Sequence, residues 1–223
     1  MHHALDARMR RFDIITEIDA RSIDVGATVE LTAGGHVTPL ARDTLSARRV
    51  TVVRAGSTDE TLPADLAPVA DIKRVAVGSD HTGLAIKGAL ISYLRGRGVA
   101  VVDVGTNTAD PVDYPDIAAA VARSVARGES DAGIAIDGAG IGSAIAANKV
   151  RGVRAALCLN ETMARYSREH NGANVLTLGS SLLDGPEAAT RITEIWLGTP
   201  MREARYIRRL LKIRRLEDTF ARD

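Results

Sequence analysis

The chain has 223 residues, enough for one medium domain or for one domain with an appendage. Its 29 Lys and Arg residues balance 28 Asp and Glu residues, and aromatics are 3%. That composition argues against a general nucleic-acid or membrane-surface role and against a base-stacking platform. The single cysteine, Cys158 in "VRAALCL", allows no disulfide framework and no cysteine metal cluster, and it reads as a small buried hydrophobe. The N-terminus "MHHALDARMRRFD" has no apolar signal region, and no stretch approaches the roughly 18 to 20 apolar residues of a membrane span, so a cytoplasmic protein is expected.

In chain order, Leu5, Met9, Phe12 and Ile15 fall at helical spacing beside Arg8, Arg10 and Arg11. This predicts an amphipathic helix that packs on its own domain or across a dimer, or docks on a partner or shell surface. "ATVELTAGG" alternates like a strand and is expected to end in a Gly-Gly turn. "TPLARDTLSARR" offers a Thr N-cap with Pro at the first helical position, and "VTVVRAG" reads as a closing strand. Residues 1–55 thus read as a small α/β appendage. The acidic stretch 56–72, with Pro, Ser and Thr and no periodicity, reads as a linker. Residues 73–223 read as the main domain.

From there strands and helices alternate. "RVAVGSD", "VAVVDVG", "DAGIAI", "VRAALCL" and "NVLTLG" read as five strands rich in Val, Ile, Leu and Ala. Between and after them come five helices: Gly83 to Arg97, "DIAAAVARSVARG" stopped by Gly128, one beginning near Ser143, "NETMARYSREHN" capped by Asn160, and "GPEAATRITEIWLG" with Pro186 at its start. The C-terminal "MREARYIRRLLKIRRLEDTF" reads as a basic amphipathic helix. Such a pattern predicts an α/β fold, a doubly wound, five-stranded parallel Rossmann-like sheet with the N-terminal appendage and a C-terminal helix. Ligands of these sheets bind beyond the carboxyl ends of the strands.

The loops at those ends hold the chemistry. In "DGAGIG", Gly138, Gly140 and Gly142 permit a nest of backbone N–H groups that binds an anion. The spacing differs from a dinucleotide fingerprint, and the Gly78–Gly83 turn lacks the Lys-Ser/Thr of a phosphate-binding P-loop. Asp80 and His81 end the first strand. Asp137 stands at the mouth of the Gly loop, and His170 and Asn171 end the helix after the fourth strand. Two histidines, two carboxylates and a nest are expected to converge on one acid–base site. On the C-terminal helix Arg205 and Arg209 are i,i+4 neighbours, with Arg202 and Lys212 on roughly the same side. They form either a solvated face or a phosphate grip.

Residues 74 to about 213 resemble the type B ribose-5-phosphate isomerase family, which includes galactose-6-phosphate isomerase subunits. The resemblance is carried by "VAVGSDHTGLAIK", "VVDVGT", "DYPDIA", "GAGIGSAIAANKVRGVRAALC", "SREHNGANVLTLG" and "WLGT", in that order. It implies isomerisation of a phosphorylated sugar through an enediolate, with no cofactor and no metal, in a homodimer or higher homo-oligomer whose sites lie between subunits. By position, Asp80 and His170 would open the sugar ring, and Tyr114 and Asn171 would contact the sugar. His81, Arg205 and Arg209 would bind the phosphate, the arginines from the partner chain. The N–H groups of the Gly loop would hold the developing oxyanion.

The chain departs from that pattern at several positions. Asp137 stands where many members carry a cysteine base, and Ala139 where a threonine or serine is common. Ser143 stands where another branch carries a glutamate, Tyr206 where a histidine is common, and Ser181 where an arginine is common. Asp137 reads either as a replacement base or as a cap of the following helix, a cap that Ser143 could supply instead. The alternative function is a non-catalytic sugar-phosphate-binding or scaffold protein. Residues 1–55 are an addition to the usual chain. "TPLARDTLSARRV" weakly resembles terminal segments of bacterial microcompartment enzymes, which implies a docking role for the appendage and a place inside such a compartment.

Overall fold

The computed structural model describes residues 9–55 and 66–220. The chain divides into two compact units, residues 1–61 and 62–223. In the first, β1 (Arg11–Ile15), α1 (Glu17–Ser22), β2 (Thr28–Val37), α2 (Pro39–Ala47) and β3 (Thr51–Arg54) form a βαβαβ unit on a parallel sheet ordered β1-β2-β3. Its core is Ile15, Ala20, Ile23, Val29, Leu31, Ala41 and Leu45.

Two expectations for this unit are corrected. Leu5 lies outside the described residues, but Arg11–Ile15 is a strand and not the end of an amphipathic helix. Consecutive β-branched residues, Ile14 and Ile15, suit the extended backbone. A capping box then starts the helix only at Glu17: Thr16 Oγ1 accepts from the Asp19 N–H, and the Asp19 carboxylate accepts from the Thr16 N–H at 2.9 Å. The Gly34–Gly35 pair does not end β2. The strand continues to Val37 while its register with β1 jumps from Phe12–Leu31 to Ile14–His36. Gly35 is needed there because a Cβ would lie 2.6 Å from the Asp13 carbonyl oxygen and 2.9 Å from Leu31.

The second unit runs β4 (Arg74–Ser79), a 3₁₀ turn (His81–Gly83), α3 (Leu84–Gly96), β5 (Ala100–Asp103), α4 (Tyr114–Ala126), β6 (Ala132–Asp137) and α5 (Ile141–Ala147). It continues with β7 (Ala155–Leu157), α6 (Glu161–Glu169), β8 (Val175–Gly179), α7 (Gly185–Gly198) and α8 (Ala204–Phe220). All five strands are parallel in the order β5-β4-β6-β8-β7, so this is the doubly wound sheet expected. Residues of alternating size explain its two faces. Val75, Val77, Ile134, Ile136, Leu176 and Leu178 point to α3, α6 and α7, where Ile86, Leu90, Leu94, Ile192 and Trp196 meet them. Each such side chain stabilises the fold by about 1.5 to 3 kcal/mol. The opposite face carries Ala76, Gly78, Gly133 and Ala135, which let α4 close in: a Cβ at Gly78 would lie 2.7 Å from Ile117.

The back half of the expected linker belongs to this second unit, while residues 56–65 lie outside the described residues. Arg154 donates to the carbonyls of Gly172 (2.8 Å) and Leu66 (3.1 Å). Arg168 donates to those of Ala173 and Val69, both at 3.0 Å. Arg168 is 1% exposed and stacks 4.7 Å from the Trp196 ring. Burial pulls its pKa down to about 10, which leaves it a cation at neutral pH.

Candidate functional site

The chain reverses direction across the sheet between β4 and β6, and the crevice outside their carboxyl ends is where such folds bind ligands. Asp80 directly follows β4 and Asp137 ends β6, its neighbour, and the Asp80 N–H donates to the Ile136 carbonyl at 3.1 Å. Asp137 is 3% exposed, and its carboxylate draws the Gly loop around itself. Oδ1 accepts from the N–H groups of Ala139 (2.9 Å) and Gly140. Oδ2 accepts from the N–H (2.9 Å) and hydroxyl (2.6 Å) of Ser143. The loop can fold back this far because Gly140 takes the left-handed conformation, φ +73°. Helix α5 therefore starts at Ile141, with Ser143 inside its first turn donating to Asp137. Ser143 is not itself the cap.

Gly142 makes room for Tyr114, the first residue of α4. A Cβ at Gly142 would collide with the Tyr114 ring and lie 2.7 Å from its hydroxyl. Tyr114 is 40% exposed, so it forms an accessible wall beside the nest. On the other side, Asp80 Oδ1 accepts from the Thr82 N–H (2.9 Å) and hydroxyl (2.6 Å). His81 Nδ1 accepts from the Val112 N–H at 3.3 Å, which assigns the ring proton of the neutral imidazole to Nε2. The loop bearing Val112 is anchored by buried Lys87. Its Nζ donates to Asp103 (2.9 and 3.0 Å), to the Thr106 carbonyl (2.7 Å) and to Asn107 (2.7 Å). At the end of β8 the N–H groups of Ser180 and Ser181 donate to the carbonyls of Asp137 (2.8 Å) and Gly138 (2.9 Å).

The structure thus joins Asp80, His81, Tyr114, Asp137, Gly138, Ala139, Gly140, Gly142 and Ser143. It does not bring His170 and Asn171 to them within one chain, which corrects the convergence expected of those two; Arg205 and Arg209, expected from the partner chain, lie with His170 at Tyr206. The reason is topological: α6 leaves the carboxyl end of β7 and runs back against the strands. The residue that caps its C-terminus, His170, therefore sits at the opposite edge, just before β8 begins at Val175. There His170 stacks between Tyr166 and Tyr206, ring centroids 4.7 Å from each. Asn171 donates to the Tyr166 carbonyl at 3.2 Å.

The same edge receives α8. Arg205 donates to the Tyr206 hydroxyl (2.9 Å) and pairs with Glu203 (2.5 Å), and these contacts raise its already high pKa, the hydrogen bond first. Arg209 lies 5.6 Å from the Tyr206 ring centre and has no ion pair among the described residues. A neighbouring cavity of about 500 Å³ is lined by Arg165, Glu169, Arg202, Glu203 and Tyr206. Among the described residues, no three His, Cys, Asp or Glu side chains cluster as metal ligands would. Sequence reasoning missed Thr82, Lys87 and Ser180. Thr82 and Ser180 flank motifs that were read for their neighbours, and Lys87 interrupts the apolar side of α3 with no signal of its partners.

A parallel sheet with a carboxylate and an N–H nest at its switch point, and a cationic aromatic cluster at the other edge, defines a Rossmann-like α/β protein with a candidate ligand crevice. Residues 75–213 match the family model described as Ribose/Galactose Isomerase, and the chain belongs to that family. It is 42% identical over 146 residues to ribose-5-phosphate isomerase B of Escherichia coli K12, covering 66% of this chain and 97% of that protein. Among solved structures, the ribose-5-phosphate isomerase B of Clostridium thermocellum superposes with a TM-score of 0.64 at 44% identity, over 66% of this chain and 99% of that one. The Mycoplasma genitalium enzyme, solved with bound ribulose-5-phosphate, gives 0.62 at 39% identity, over 65% and 96%. Residues before Leu62 lie outside the family match.

Proposed function

We propose that the chain interconverts an aldose phosphate and its ketose through an enediolate, ribose 5-phosphate or a related sugar phosphate being the substrate. The observation that carries this reading is Asp137, a buried carboxylate at the switch point with the loop N–H groups converging on it. Asp80, with His170 of a second copy, opens the sugar ring. Asp137 then takes the proton from C2, and the C–H electron pair becomes the C1–C2 double bond. The former carbonyl oxygen becomes an oxyanion, and the N–H groups of Ala139, Gly140 and Ser143 pass from Asp137 to it. The proton returns at C1 on the electron pair of the C1–C2 double bond, the C2 hydroxyl proton passes to the oxyanion on C1, and the O–H pair left at C2 forms the ketose carbonyl. Tyr114 with Asn171 of the second copy holds the sugar, and His81 with Arg205 and Arg209 of the second copy holds the phosphate.

A second copy is supported by the apolar side chains exposed near the crevice, Ile141 and Ile145 on α5, and by the separation of the two residue groups at opposite edges of the sheet. No helix among the described residues is long and apolar enough to cross a membrane, and we assign the enzyme to the cytoplasm. The N-terminal unit acts as a docking element for a larger assembly, a microcompartment being the proposed destination. Deleting residues 1–56 should change assembly or location and leave kinetics alone. The decisive test of the reaction incubates the protein with a panel of aldose phosphates in heavy water. Deuterium at C2 identifies substrate and enolisation together, and its absence for every sugar removes the proposal.

A second reading, a sugar-phosphate-binding protein without turnover, is favoured by one observation: all four hydrogen bonds to the Asp137 carboxylate come from its own loop and helix, as a cap would require. Tight calorimetric binding with no deuterium incorporation would select it.

A further inference from the structure

The sheet edge that carries His170 also holds Tyr206, a side chain to which the reaction above gives no part. Helix α8 turns a row of buried residues toward this edge, Tyr206 at 5% and Leu210 at 2% exposed, four residues apart. Leu210 closes on the turn after His170 so tightly that a Cβ at Gly172 would lie 2.7 Å from its side chain. Arg205 and Arg209 each precede one of these buried residues, so seating the buried row also fixes where the arginine row emerges.

Tyr206 meets both functional groups of this edge at once. Its ring lies 4.7 Å from that of His170, centroid to centroid, and Tyr166 covers the other face of the imidazole at the same distance. Glu169 lies 4.0 Å from His170 Nε2, beyond hydrogen-bond reach. Ring contact therefore holds the imidazole and leaves its nitrogens to exchange protons with a ligand. On the other side of the cluster, the Tyr206 hydroxyl accepts from the Arg205 guanidinium at 2.9 Å, whose carbon lies 4.8 Å from the ring centre. Glu203 takes the Nε of the same guanidinium at 2.5 Å, and its carbonyl accepts the Tyr206 N–H at 2.9 Å. These contacts fix the plane of the guanidinium and leave its remaining N–H groups for a ligand.

We propose that Tyr206 is a positioning residue for both groups that this edge lends to a second copy. Its ring sets the imidazole of His170 for the sugar, and its hydroxyl sets the guanidinium of Arg205 for the phosphate. The inference rests on the isomerase reading, and it adds the side chain that keeps the proton-transfer group and the phosphate grip at a fixed separation.

The test uses the full-length protein and the aldose phosphate that wild type turns over fastest, with inorganic phosphate as competing ligand. Tyr206→Phe keeps the stacked ring and removes the hydroxyl. KM and the inhibition constant of inorganic phosphate should each rise about three- to tenfold, while kcat stays within about twofold. Tyr206→Leu keeps an apolar side chain and removes the ring, so kcat should fall at least about tenfold below that of Tyr206→Phe. This split, kcat following the ring and phosphate affinity following the hydroxyl, is one that lost packing alone does not produce. Because the hydroxyl acts through Arg205, Tyr206→Phe in an Arg205→Ala background should change neither KM nor the inhibition constant by more than about twofold. A hydroxyl that touches the phosphate itself would keep its full cost in that background. That result, unchanged kinetics in Tyr206→Phe, or equal kcat in Tyr206→Leu and Tyr206→Phe would each overturn the positioning role alone. If Tyr206→Leu does not fold, Tyr206→Phe and its Arg205→Ala combination decide. Wild-type protein that turns over no aldose phosphate would overturn the isomerase reading, and this inference with it.

Discussion

Four hydrogen bonds converge on the Asp137 carboxylate, and they give this residue two separable jobs. As an acceptor it organises the loop: without it, the N–H groups of Ala139, Gly140 and Ser143 lose their partner in a buried place. Asp137→Ala should therefore cost about 1 to 3 kcal/mol of stability, read as a lower urea midpoint. As a base it should be worth more to the rate than to the fold. Asp137→Asn retains an oxygen for Ala139 and Gly140 but sets an amide against the Ser143 donors. It should lose at least about 10²-fold in kcat at temperatures where it is fully folded. Turnover within about tenfold of wild type would leave Asp137 with the capping job alone. Cys158 makes a pH prediction of a different kind. Its thiol is buried, and desolvation pushes its pKa up to about 11 from 9.0, against a weaker opposing contact with Ser167. The unfolded chain then releases the proton first as pH rises. This contribution is complete below about pH 9 and is lost on the way to 11, about 2 to 3 kcal/mol in all. The stability of wild type relative to Cys158→Ala should fall across that window and stay level below it.

Helix α3 shows how an element serves the site without touching it. Its apolar side was legible, since Ile86, Leu90 and Leu94 repeat at the spacing that faces the sheet. Lys87 sits among them, 3% exposed, and ties Asp103 and the Thr106 carbonyl together, so that the following loop presents Val112 to His81. Lys87→Met removes the buried donor and leaves the Thr106 carbonyl and Asn107 without it, while exposed Asp103 turns to water, and should cost about 1 to 3 kcal/mol. Amide exchange at Val112 should accelerate as the loop loosens, a change that a purely local packing defect in α3 would not cause. Nothing in the sequence marked Lys87, because a lysine gains such a role only when a distant loop meets it. The central strands β4, β6 and β8 were legible because buried parallel strands are runs of Val, Ile, Leu and Ala, and the partly exposed edge strands β5 and β7 carry the same composition. Arg11–Ile15 was misread because Phe12 and Ile15 are three apart, a spacing that also fits a helix; the Thr16–Asp19 capping box was the better signal. The Gly34–Gly35 pair was misread as a turn because a glycine required by close strand contact leaves the same mark as one required by a turn.

Across the whole molecule the candidate site was legible as a set of residues but not as an arrangement. Motif order names Asp80, Asp137, His170 and Arg205 without saying that α6 carries His170 to the far edge of the sheet. A parallel sheet puts every strand's carboxyl end on one edge and the ends of its returning helices on the other, so no repacking of a single chain unites the two groups. Two copies related by a two-fold axis would unite them, because each crevice then faces the His170 edge of its partner and two complete sites form. This makes a strict prediction about mixing. Asp137→Asn and His170→Ala, each inactive alone, are combined by co-unfolding and refolding in equal amounts. Half of the resulting dimers are mixed, and each mixed dimer holds one site with both side chains intact and one lacking both. Activity should therefore recover to about a quarter of the wild-type value. A site completed within one chain predicts no recovery at all, since every chain in the mixture lacks one of the two residues. The double variant refolded with wild type gives the converse: its mixed dimers carry one defect in each site, and activity should again fall to about a quarter, not to the half that an in-chain site requires.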